Sequence, residues 1–353
     1  MIGLIMSNAP TASSVPPSNK LGLTKQDYVG SKSTLCAGCG HDSITAQLIN
    51  AAWEMNIDAT RVAKLSGIGC SSKTPAYFFN QAWGFNAVHG RMPSVATGAS
   101  MANRNLINIG VSGDGDSMSI GLGQLCHMIR RNVPIVYIIE DNGVYGLTKG
   151  QFSATADKGS VLKYGSINSL EPIDPVTLAI ELGCGFVARS FSGNPKQMNA
   201  ILKAAFAYEG TSIIDIVSPC VTFNNHDSST KSYKNIKDHE MPLHELGFVA
   251  FNELENVEIP AGESKTVSFP DGSKVTFRNI HENYDPTDAV AATKLIKESL
   301  SKNELLTGLL YIRPGSPDFN KVLNLVDEPL ATLDLQALKP SPQVLSEIME
   351  SLT

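Results

Sequence analysis

The sequence has 353 residues, of which 42% are hydrophobic, and a formal net charge of −6. This length is enough for one large core or two smaller ones, and the acidic and basic residues are interspersed, which argues against a nucleic-acid binder. No apolar run approaches the roughly 20 residues that a membrane-spanning helix needs, so we expect no membrane association.

The N-terminal stretch MIGLIMSNAPTASSVPPSNK has a short apolar start and no basic segment, so it does not have the pattern of a secretory signal. Its Ser, Pro, Asn and Ala content predicts a flexible arm over residues 1–25. Six cysteines are too sparse for a disulfide scaffold in a chain of this length. Without an export signal, we predict a cytoplasmic protein whose thiols are free to bind metals or to pack.

Helical and extended patterns alternate after the arm. Ile44, Leu48 and Ala52 recur at helical spacing, and Asp42 or Ser43 is the expected cap of that helix. The later segments predict, in chain order, a strand in RVAKLSGIGCSSK, a helix in PSVATGASMANRN, a strand in LINIGVSGDGD, a helix in SIGLGQLCHMIRRN, a strand in VPIVYIIEDN, a helix in DPVTLAIELG, a strand in FVARS, a helix in NPKQMNAILKAAFAYEG and a strand in TSIIDIVSPC. This alternation predicts an α/β domain over residues 26–239, with a mostly parallel sheet and helices on both faces.

The pattern changes near residue 240. KTVSFPDGSKVTF predicts a β-hairpin around its Pro-Asp-Gly turn. PTDAVAATKLIKESLSKN predicts an amphipathic helix, and another helix is expected near Ser346. We interpret residues 240–353 as a C-terminal extension packed on the main domain.

The stretch TLCAGCGHDSI carries the first candidate site. Cys36 and Cys39 are separated by two residues, which is the ligand spacing of zinc and iron–sulfur sites and also of redox dithiols. A thioredoxin-type dithiol is disfavoured, because no apolar strand precedes CAGC. The pair by itself leaves the metal alternatives open.

The stretch VSGDGDSMSIGLGQL carries the second candidate site. Glycines between a buried strand and a helix favour phosphate binding at the helix N-terminus. A dinucleotide-binding turn fits poorly, because Met118 stands where the third glycine would be and Asp114 lies between the first two. A carboxylate beside a pyrophosphate needs a bridging cation, and Mg²⁺ prefers oxygen ligands. The next strand ends in a second polar turn with Asn142, which we expect close to Asp114 at the same edge of a parallel sheet.

The motifs CAGCGH, GIGCSSK, HGR, SGDGD, DNGVYGLTKGQ and SPC, spread over roughly residues 30–235, together resemble the β subunits of the 2-oxoacid:ferredoxin oxidoreductases. GDG followed by a distant Asn is similar to the thiamine diphosphate motif. CVTFNNHDSSTKSYK and the long extension resemble the 2-oxoglutarate-specific branch. The resemblance implies the diphosphate-binding half of a thiamine diphosphate-binding fold.

In this family, a Cys-x-x-Cys pair and two distant cysteines hold one 4Fe–4S cluster. The matching residues here are Cys36, Cys39, Cys70 and Cys220. Judged by residue type alone, four thiolates suit iron–sulfur and zinc equally. The other two cysteines, Cys126 and Cys184, are predicted to be buried structural thiols.

The resemblance also implies the cofactor residues. Mg²⁺ would be held by the side chains of Asp114 and Asn142 and by the carbonyl of Val144. The residues expected around thiamine diphosphate are Ile68, Gly69, Cys70, Ser71, His89, Gly115, Asp116, Gly146 and Leu147. Lys73, His89 and Leu147 are the expected catalytic residues, with Lys73 facing the substrate. Their ordinary alternatives are a solvated lysine, a hydrogen-bonded loop histidine and a core leucine.

The implied reaction is a thiamine diphosphate-dependent oxidative decarboxylation of 2-oxoglutarate to succinyl-CoA and CO₂, with electrons passing through the cluster to ferredoxin. It is reversible for CO₂ fixation, as in a reductive TCA cycle. Pyruvate or a branched 2-oxoacid is the alternative substrate. The carboxylate that activates the aminopyrimidine ring is expected from an α or fused αγ partner subunit. A zinc-stabilised non-catalytic subunit and an NAD-dependent dehydrogenase remain as rival hypotheses, and the missing third glycine disfavours the latter.

Overall fold

The computed structural model describes residues 16–162, 164–249, 264–268, 274–279 and 284–352. Most of the predicted arm lies outside these ranges. Its described end is held against the first helix, since the indole N–H of Trp53 donates to the Leu23 carbonyl at 2.9 Å and Asn19 donates to the Trp53 carbonyl at 3.2 Å.

The strands of the described residues alternate with helices along much of the chain. The strands are β1 (Val62–Ser66), β2 (Trp83–Asn86), β3 (Ile107–Gly113), β4 (Ile135–Asp141), β5 (Val144–Tyr145), β6 (Gln151–Phe152), β7 (Phe186–Phe191), β8 (Thr211–Val217), β9 (Glu240–Pro242), β10 (His244–Val249), β11 (Ser264–Ser268), β12 (Lys274–Asn279) and β13 (Leu305–Ile312). The helices are α1 (Gly40–Glu54), α2 (Met92–Ala102), α3 (Leu122–Arg131), α4 (Pro175–Glu181), α5 (Pro195–Ala207), α6 (Tyr233–His239), α7 (Ala289–Ser301), α8 (Phe319–Val322) and α9 (Pro342–Ser351).

Within the described residues, the main sheet has eight strands in the order β2-β1-β3-β4-β8-β7-β13-β9. Neighbouring strands from β2 to β7 are parallel, and β13 runs antiparallel to β7. The central strands β4 and β8 are buried along their whole length, which explains their nearly continuous apolar sequences. The predicted mostly parallel sheet is confirmed.

Helices cover both faces of this sheet. Along β4, Val136 and Ile138 belong to one hydrophobic cluster, and Tyr137 and Ile139 belong to the other, as expected when successive side chains of a strand point to opposite faces. The first cluster contains residues of α1 and α5, and the second contains residues of α2, α3, α4 and α7. The two-faced α/β architecture predicted from the sequence is therefore confirmed.

The predicted cap of the first helix is wrong. The helix begins at Gly40, and Cys39 rather than Asp42 or Ser43 is the N-cap. At Gly40 the chain lies so close to the ends of β7 and β8 that a β-carbon there would stand 2.4 Å from Ser192 Oγ. The glycine permits this close approach, and the helix starts three residues earlier than a cap at Asp42 would place it.

The C-terminal extension contributes to the main sheet through β9 and β13. The predicted hairpin is confirmed as the antiparallel pair β11 and β12, while its turn lies outside the described residues. The predicted helices are observed as α7 and α9. In the part of the chain that the structure describes, no helix has the length and apolar character needed to cross a bilayer.

Candidate functional site

The candidate residues converge on the loops that follow the carboxyl ends of the parallel strands. The glycine turn with Ile68 and Gly69 follows β1, the Gly-Asp-Gly turn follows β3, the Asn142 turn follows β4, and Cys220 follows β8. Ligands of open parallel sheets bind at this edge, because loops from neighbouring strands meet there. The structure thus brings together the two turns that the sequence pattern paired.

Asp114 is the centre of the first part of the site. It is 1% exposed, and its Oδ2 accepts hydrogen bonds from the Gly143 N–H at 3.0 Å, from the Thr155 hydroxyl at 2.6 Å and from the Ser153 hydroxyl. Its other oxygen accepts no hydrogen bond from the residues that the structure describes. Asn142 directs its Oδ1 to the Val144 N–H at 3.0 Å, which folds the turn tightly against Asp114.

A second buried carboxylate, Asp141, lies beside Asp114. Burial and the charge of Asp141 raise the pKa of Asp114 to about 7. Lys231 Nζ lies 3.3 Å from Asp141 Oδ2, and its charge also acts on Asp114. The carboxylate and amide oxygens of this group are the kind of donors that suit a hard divalent cation such as Mg²⁺.

Within the described ranges, no group of three or more His, Cys, Asp or Glu side chains could hold a metal ion by itself. A cation at Asp114 would therefore complete its shell with amide and carbonyl oxygens and with oxygens of a bound ligand. This is the usual situation of protein-bound Mg²⁺, which takes one or two carboxylates and fills its shell with phosphate and water oxygens.

Asp116 has an internal role. Its Oδ1 accepts from the Gly90 N–H at 2.7 Å, and its Oδ2 accepts from the Ser112 hydroxyl at 2.8 Å. The side chain thus ties the HGR turn to the end of β3, and His89 of that turn is exposed. Gly115 carries no side chain because the Tyr145 ring occupies that space, 2.5 Å from where a β-carbon would stand.

Gly146 lies next to two of the candidate cluster ligands, the thiols of Cys70 and Cys220. A β-carbon at this position would lie 3.5 Å from the Cys70 Sγ and 3.6 Å from the Cys220 Sγ. Burial, with contributions from Cys70 and Cys220, raises the pKa of Cys39 to about 12. Burial, with contributions from Cys220 and Cys36, also raises the pKa of Cys70. These effects link Cys39 with Cys70 and Cys220, and Cys70 with Cys36, so the four thiols lie in one region. In the described residues, no three of them are placed to hold a metal ion by themselves.

The remaining cysteines lie elsewhere. Cys184 is buried as predicted, and its thiol donates to the Thr211 carbonyl at 3.2 Å, at the amino end of β8 and thus far from Cys220. Cys126 on α3 is half-buried rather than buried, because its helix presents that position towards the surface. Cys184 is therefore separate from the region that contains the four candidate ligands.

The substrate-side candidates lie at the surface of the site. Lys73 is half-buried, and its charge acts against the burial that raises the Cys70 pKa, so the two side chains are neighbours. Ser71 is buried and donates to the Ile68 carbonyl at 3.0 Å, which closes the glycine turn. Leu147 is 52% exposed, so it is not a core residue.

Sequence reasoning missed several polar residues of this edge. Lys231, Ser153 and Thr155 contact Asp141 or Asp114 from other loops. Lys231 lies in the stretch CVTFNNHDSSTKSYK, but that stretch does not show which residue it would contact. Glu140 was also missed. An acidic residue inside the apolar strand IVYIIED was the available signal.

Comparison with known proteins agrees with this geometry. The family described as thiamine pyrophosphate enzyme, C-terminal TPP binding domain, matches residues 67–216. A solved 2-oxoglutarate:ferredoxin oxidoreductase from Magnetococcus marinus, with 2-oxoglutarate, coenzyme A and succinyl-CoA bound, is similar with a TM-score of 0.71 and 30% identity, over 90% of this chain and 97% of that one. The predicted thiamine diphosphate-binding fold is thereby confirmed.

Curated relatives extend the likeness. The 2-oxoacid:ferredoxin oxidoreductase subunit beta of Sulfolobus is 40% identical over 56% of this chain, and the 2-oxoglutarate oxidoreductase subunit KorB of Mycobacterium tuberculosis is 37% identical over 54%. The chain spans 65% and 51% of the length of these two relatives. The 2-oxoglutarate synthase subunit KorB of Methanocaldococcus jannaschii is 31% identical over 67% of this chain and 88% of its own. The chain therefore belongs to the β subunits of the 2-oxoacid:ferredoxin oxidoreductases.

Proposed function

We propose that the chain is the cofactor-binding subunit of a CoA-dependent 2-oxoglutarate:ferredoxin oxidoreductase and that it carries thiamine diphosphate, Mg²⁺ and one 4Fe–4S cluster. One observation carries the proposal. The loop of residues 142–147 reaches Asp114 through the Gly143 N–H and separates two candidate cluster thiols at Gly146. A cofactor at one end of this loop and a cluster at the other would be close enough to exchange electrons.

The proposed Mg²⁺ ligands are the side chains of Asp114 and Asn142 and the carbonyl of Val144. The buried pair of Asp114 and Asp141 supports a divalent cation at this place, because two carboxylates lie side by side there. The glycine turns after β1 and β3 would approach the diphosphate with their backbones, with contacts from Ile68, Gly69, Cys70, Ser71, Gly115, Asp116, Gly146 and Leu147. Thiamine diphosphate, when bound, supplies the electron sink for decarboxylation of a 2-oxoacid.

The proposed cluster ligands are Cys36, Cys39, Cys70 and Cys220. The support is that Cys70 and Cys220 both approach Gly146 and that Cys36 and Cys39 interact electrostatically with Cys70, while Cys184 lies at the other end of β8. An iron–sulfur cluster, when bound by four thiolates, passes one electron at a time. The four candidate ligands are half-buried or exposed, which suits electron transfer to a carrier such as ferredoxin.

The proposed substrate is 2-oxoglutarate, and the reaction is oxidative decarboxylation to succinyl-CoA and CO₂, reversible for CO₂ fixation. Support comes from relatives that are named 2-oxoglutarate synthase and from a similar structure that holds 2-oxoglutarate and succinyl-CoA. Lys73 would pair with a substrate carboxylate, and His89 would contact the cofactor from the HGR turn. Pyruvate or a branched 2-oxoacid is the alternative substrate.

An α or fused αγ subunit is the proposed partner, since the aminopyrimidine-activating carboxylate is expected outside this chain. The exposed apolar side chains of Leu147, in the loop of residues 142–147, and of Val88, next to His89, support a protein contact surface there. The cytoplasmic location expected from the sparse cysteines remains a prediction.

The test is steady-state kinetics of the assembled complex with a viologen dye as acceptor. The expected result is a higher kcat/KM for 2-oxoglutarate than for pyruvate or branched 2-oxoacids, dependence on coenzyme A, and no activity of this chain alone. A preference for pyruvate would overturn the substrate. CoA-dependent oxidation by the isolated chain would overturn the need for a partner.

A further inference from the structure

A fully buried polar group lies behind the four thiols. Glu140 on β4 is 0% exposed, and its carboxyl accepts hydrogen bonds from the Thr74 hydroxyl at 3.0 and 3.2 Å. His41 Nε2 lies 3.5 Å from Glu140 Oε2, and its Nδ1 lies 2.8 Å from the Ser218 hydroxyl. Glu140, Thr74, His41 and Ser218 together form the Glu140 network.

Each member of the Glu140 network outside β4 lies next to a candidate cluster ligand. His41 is two residues after Cys39, Thr74 is four residues after Cys70, and Ser218 is two residues before Cys220. The network therefore joins all three cysteine-bearing segments to the end of the central strand β4. Ser218 is fixed further by its N–H, which donates to the Asp141 carbonyl at 2.7 Å.

The Glu140 network is costly to bury, so packing alone does not account for it. Glu140 is 0% exposed and His41 is 1% exposed, so both polar groups have lost their contact with water. A buried carboxyl at this position would be replaced by an apolar side chain at little cost if its only task were to fill the core.

We propose that Glu140 is a positioning residue for the iron–sulfur cluster, and that through His41, Thr74 and Ser218 it holds the three cysteine-bearing segments in the arrangement that receives the cluster. This inference rests on the proposed function, which places the cluster on Cys36, Cys39, Cys70 and Cys220. Hydrogen-bonded partners behind metal ligands fix the ligand orientation, and their loss commonly lowers metal affinity about 10–100-fold.

The test compares two Glu140 variants of the full chain, purified without oxygen together with its partner subunit. Glu140→Met keeps the side-chain length and removes the hydrogen bonds. Glu140→Gln keeps an acceptor for Thr74 and a donor towards His41. Thr211→Val is the matched control, because it removes a buried hydrogen bond of 2.7 Å to the Val133 carbonyl at the amino end of β8, far from the thiols.

The readouts are iron and sulfide per chain, the rate of iron loss to a chelator, the EPR spectrum of the reduced cluster and the thermal midpoint. We expect Glu140→Met to lose iron about tenfold faster than the wild type or more and to change the EPR line shape, while Glu140→Gln restores both. Thr211→Val should lower the thermal midpoint and leave iron retention and EPR unchanged.

Two results separate the failure of this inference from failure of the proposed function. Wild-type chain without iron and sulfide would overturn the cluster assignment and the inference with it. Iron-loaded wild type, together with a Glu140→Met variant of unchanged iron retention and EPR, would overturn the inference alone. If Glu140→Met is insoluble, Thr74→Val decides by the same criteria, because it removes one arm of the network and keeps Glu140.

Discussion

The loop of residues 142–147 has Asp114 at one end and the thiols of Cys70 and Cys220 at the other. The surroundings of Asp114, called the Asp114 pocket, differ from those of the thiols. Asp114 is almost fully buried and is held by three hydrogen bonds from the chain itself. The thiols range from half-buried to exposed, and Cys36 accepts a single weak hydrogen bond from Thr222 at 3.6 Å. Asp114 is therefore fixed by its own chain, whereas the thiols have few such contacts and the proposed cluster would supply the rest.

The largest expected effect is on cofactor affinity and comes from removing the Asp114 carboxylate. Asp114→Ala should lower Mg²⁺-dependent thiamine diphosphate affinity about 100-fold or more, since even an outer partner of a metal ligand is worth about 10–100-fold. Titration calorimetry of the assembled complex measures this change. Asp318→Asn is the control, because this buried carboxylate caps α8 away from the site. Tight cofactor binding by Asp114→Ala would remove Asp114 from the Mg²⁺ site.

Removal of one thiol should prevent the proposed cluster from binding at the Gly146 end of the loop. Cys220→Ser is expected to lose most of the iron and sulfide and to keep thiamine diphosphate, because the pocket does not use the thiol. Cys184→Ser, a variant of the buried thiol near Thr211, should keep the iron of the wild type. Metal and sulfide analysis checks both variants, and equal iron in the two would contradict the ligand assignment.

Substitution of Lys73 is expected to have a smaller effect, on kcat/KM. Lys73→Ala should lower kcat/KM for 2-oxoglutarate about 10–100-fold, which corresponds to the loss of one hydrogen bond to a charged group, and should lower that for pyruvate less. Kinetics of the assembled complex with both substrates measures the difference. An equal loss for both would move recognition of the distal carboxylate to the partner subunit.

Substitution of Gly143 and of Gly146, both in the loop of residues 142–147, should affect the free energy of unfolding to different extents. Gly143 has φ +75°, and a β-carbon there would stand 2.7 Å from Asn224 Nδ2, whereas a β-carbon at Gly146 meets the two thiols only at contact distance. Gly143→Ala should therefore cost about 1–2 kcal/mol of unfolding free energy, and Gly146→Ala should cost about 0.5 kcal/mol or less. Denaturant unfolding of both variants is the measurement. A larger loss for Gly146→Ala would contradict the described loop.

The order of strands and helices could be predicted because hydrophobic periodicity is a local signal. The approach of Asp114 to the Asn142 turn could also be predicted, since consecutive parallel strands place their carboxyl ends together. The contact of Lys231 with Asp141 could not be predicted, because Lys231 lies on a loop after β8 whose path is set by tertiary packing. The start of α1 at Gly40 depends on its packing against Ser192 and Ser218, which only the tertiary structure determines.

The central claim is that one chain carries thiamine diphosphate and an iron–sulfur cluster at the two ends of the loop of residues 142–147. The most direct measurement is iron, acid-labile sulfide, zinc and thiamine diphosphate per chain in the complex purified without oxygen. The account predicts one thiamine diphosphate and one 4Fe–4S cluster assigned to this chain, with the cluster lost in Cys220→Ser. Zinc in place of iron, or a complex whose iron and sulfide are unchanged by Cys220→Ser, would contradict it.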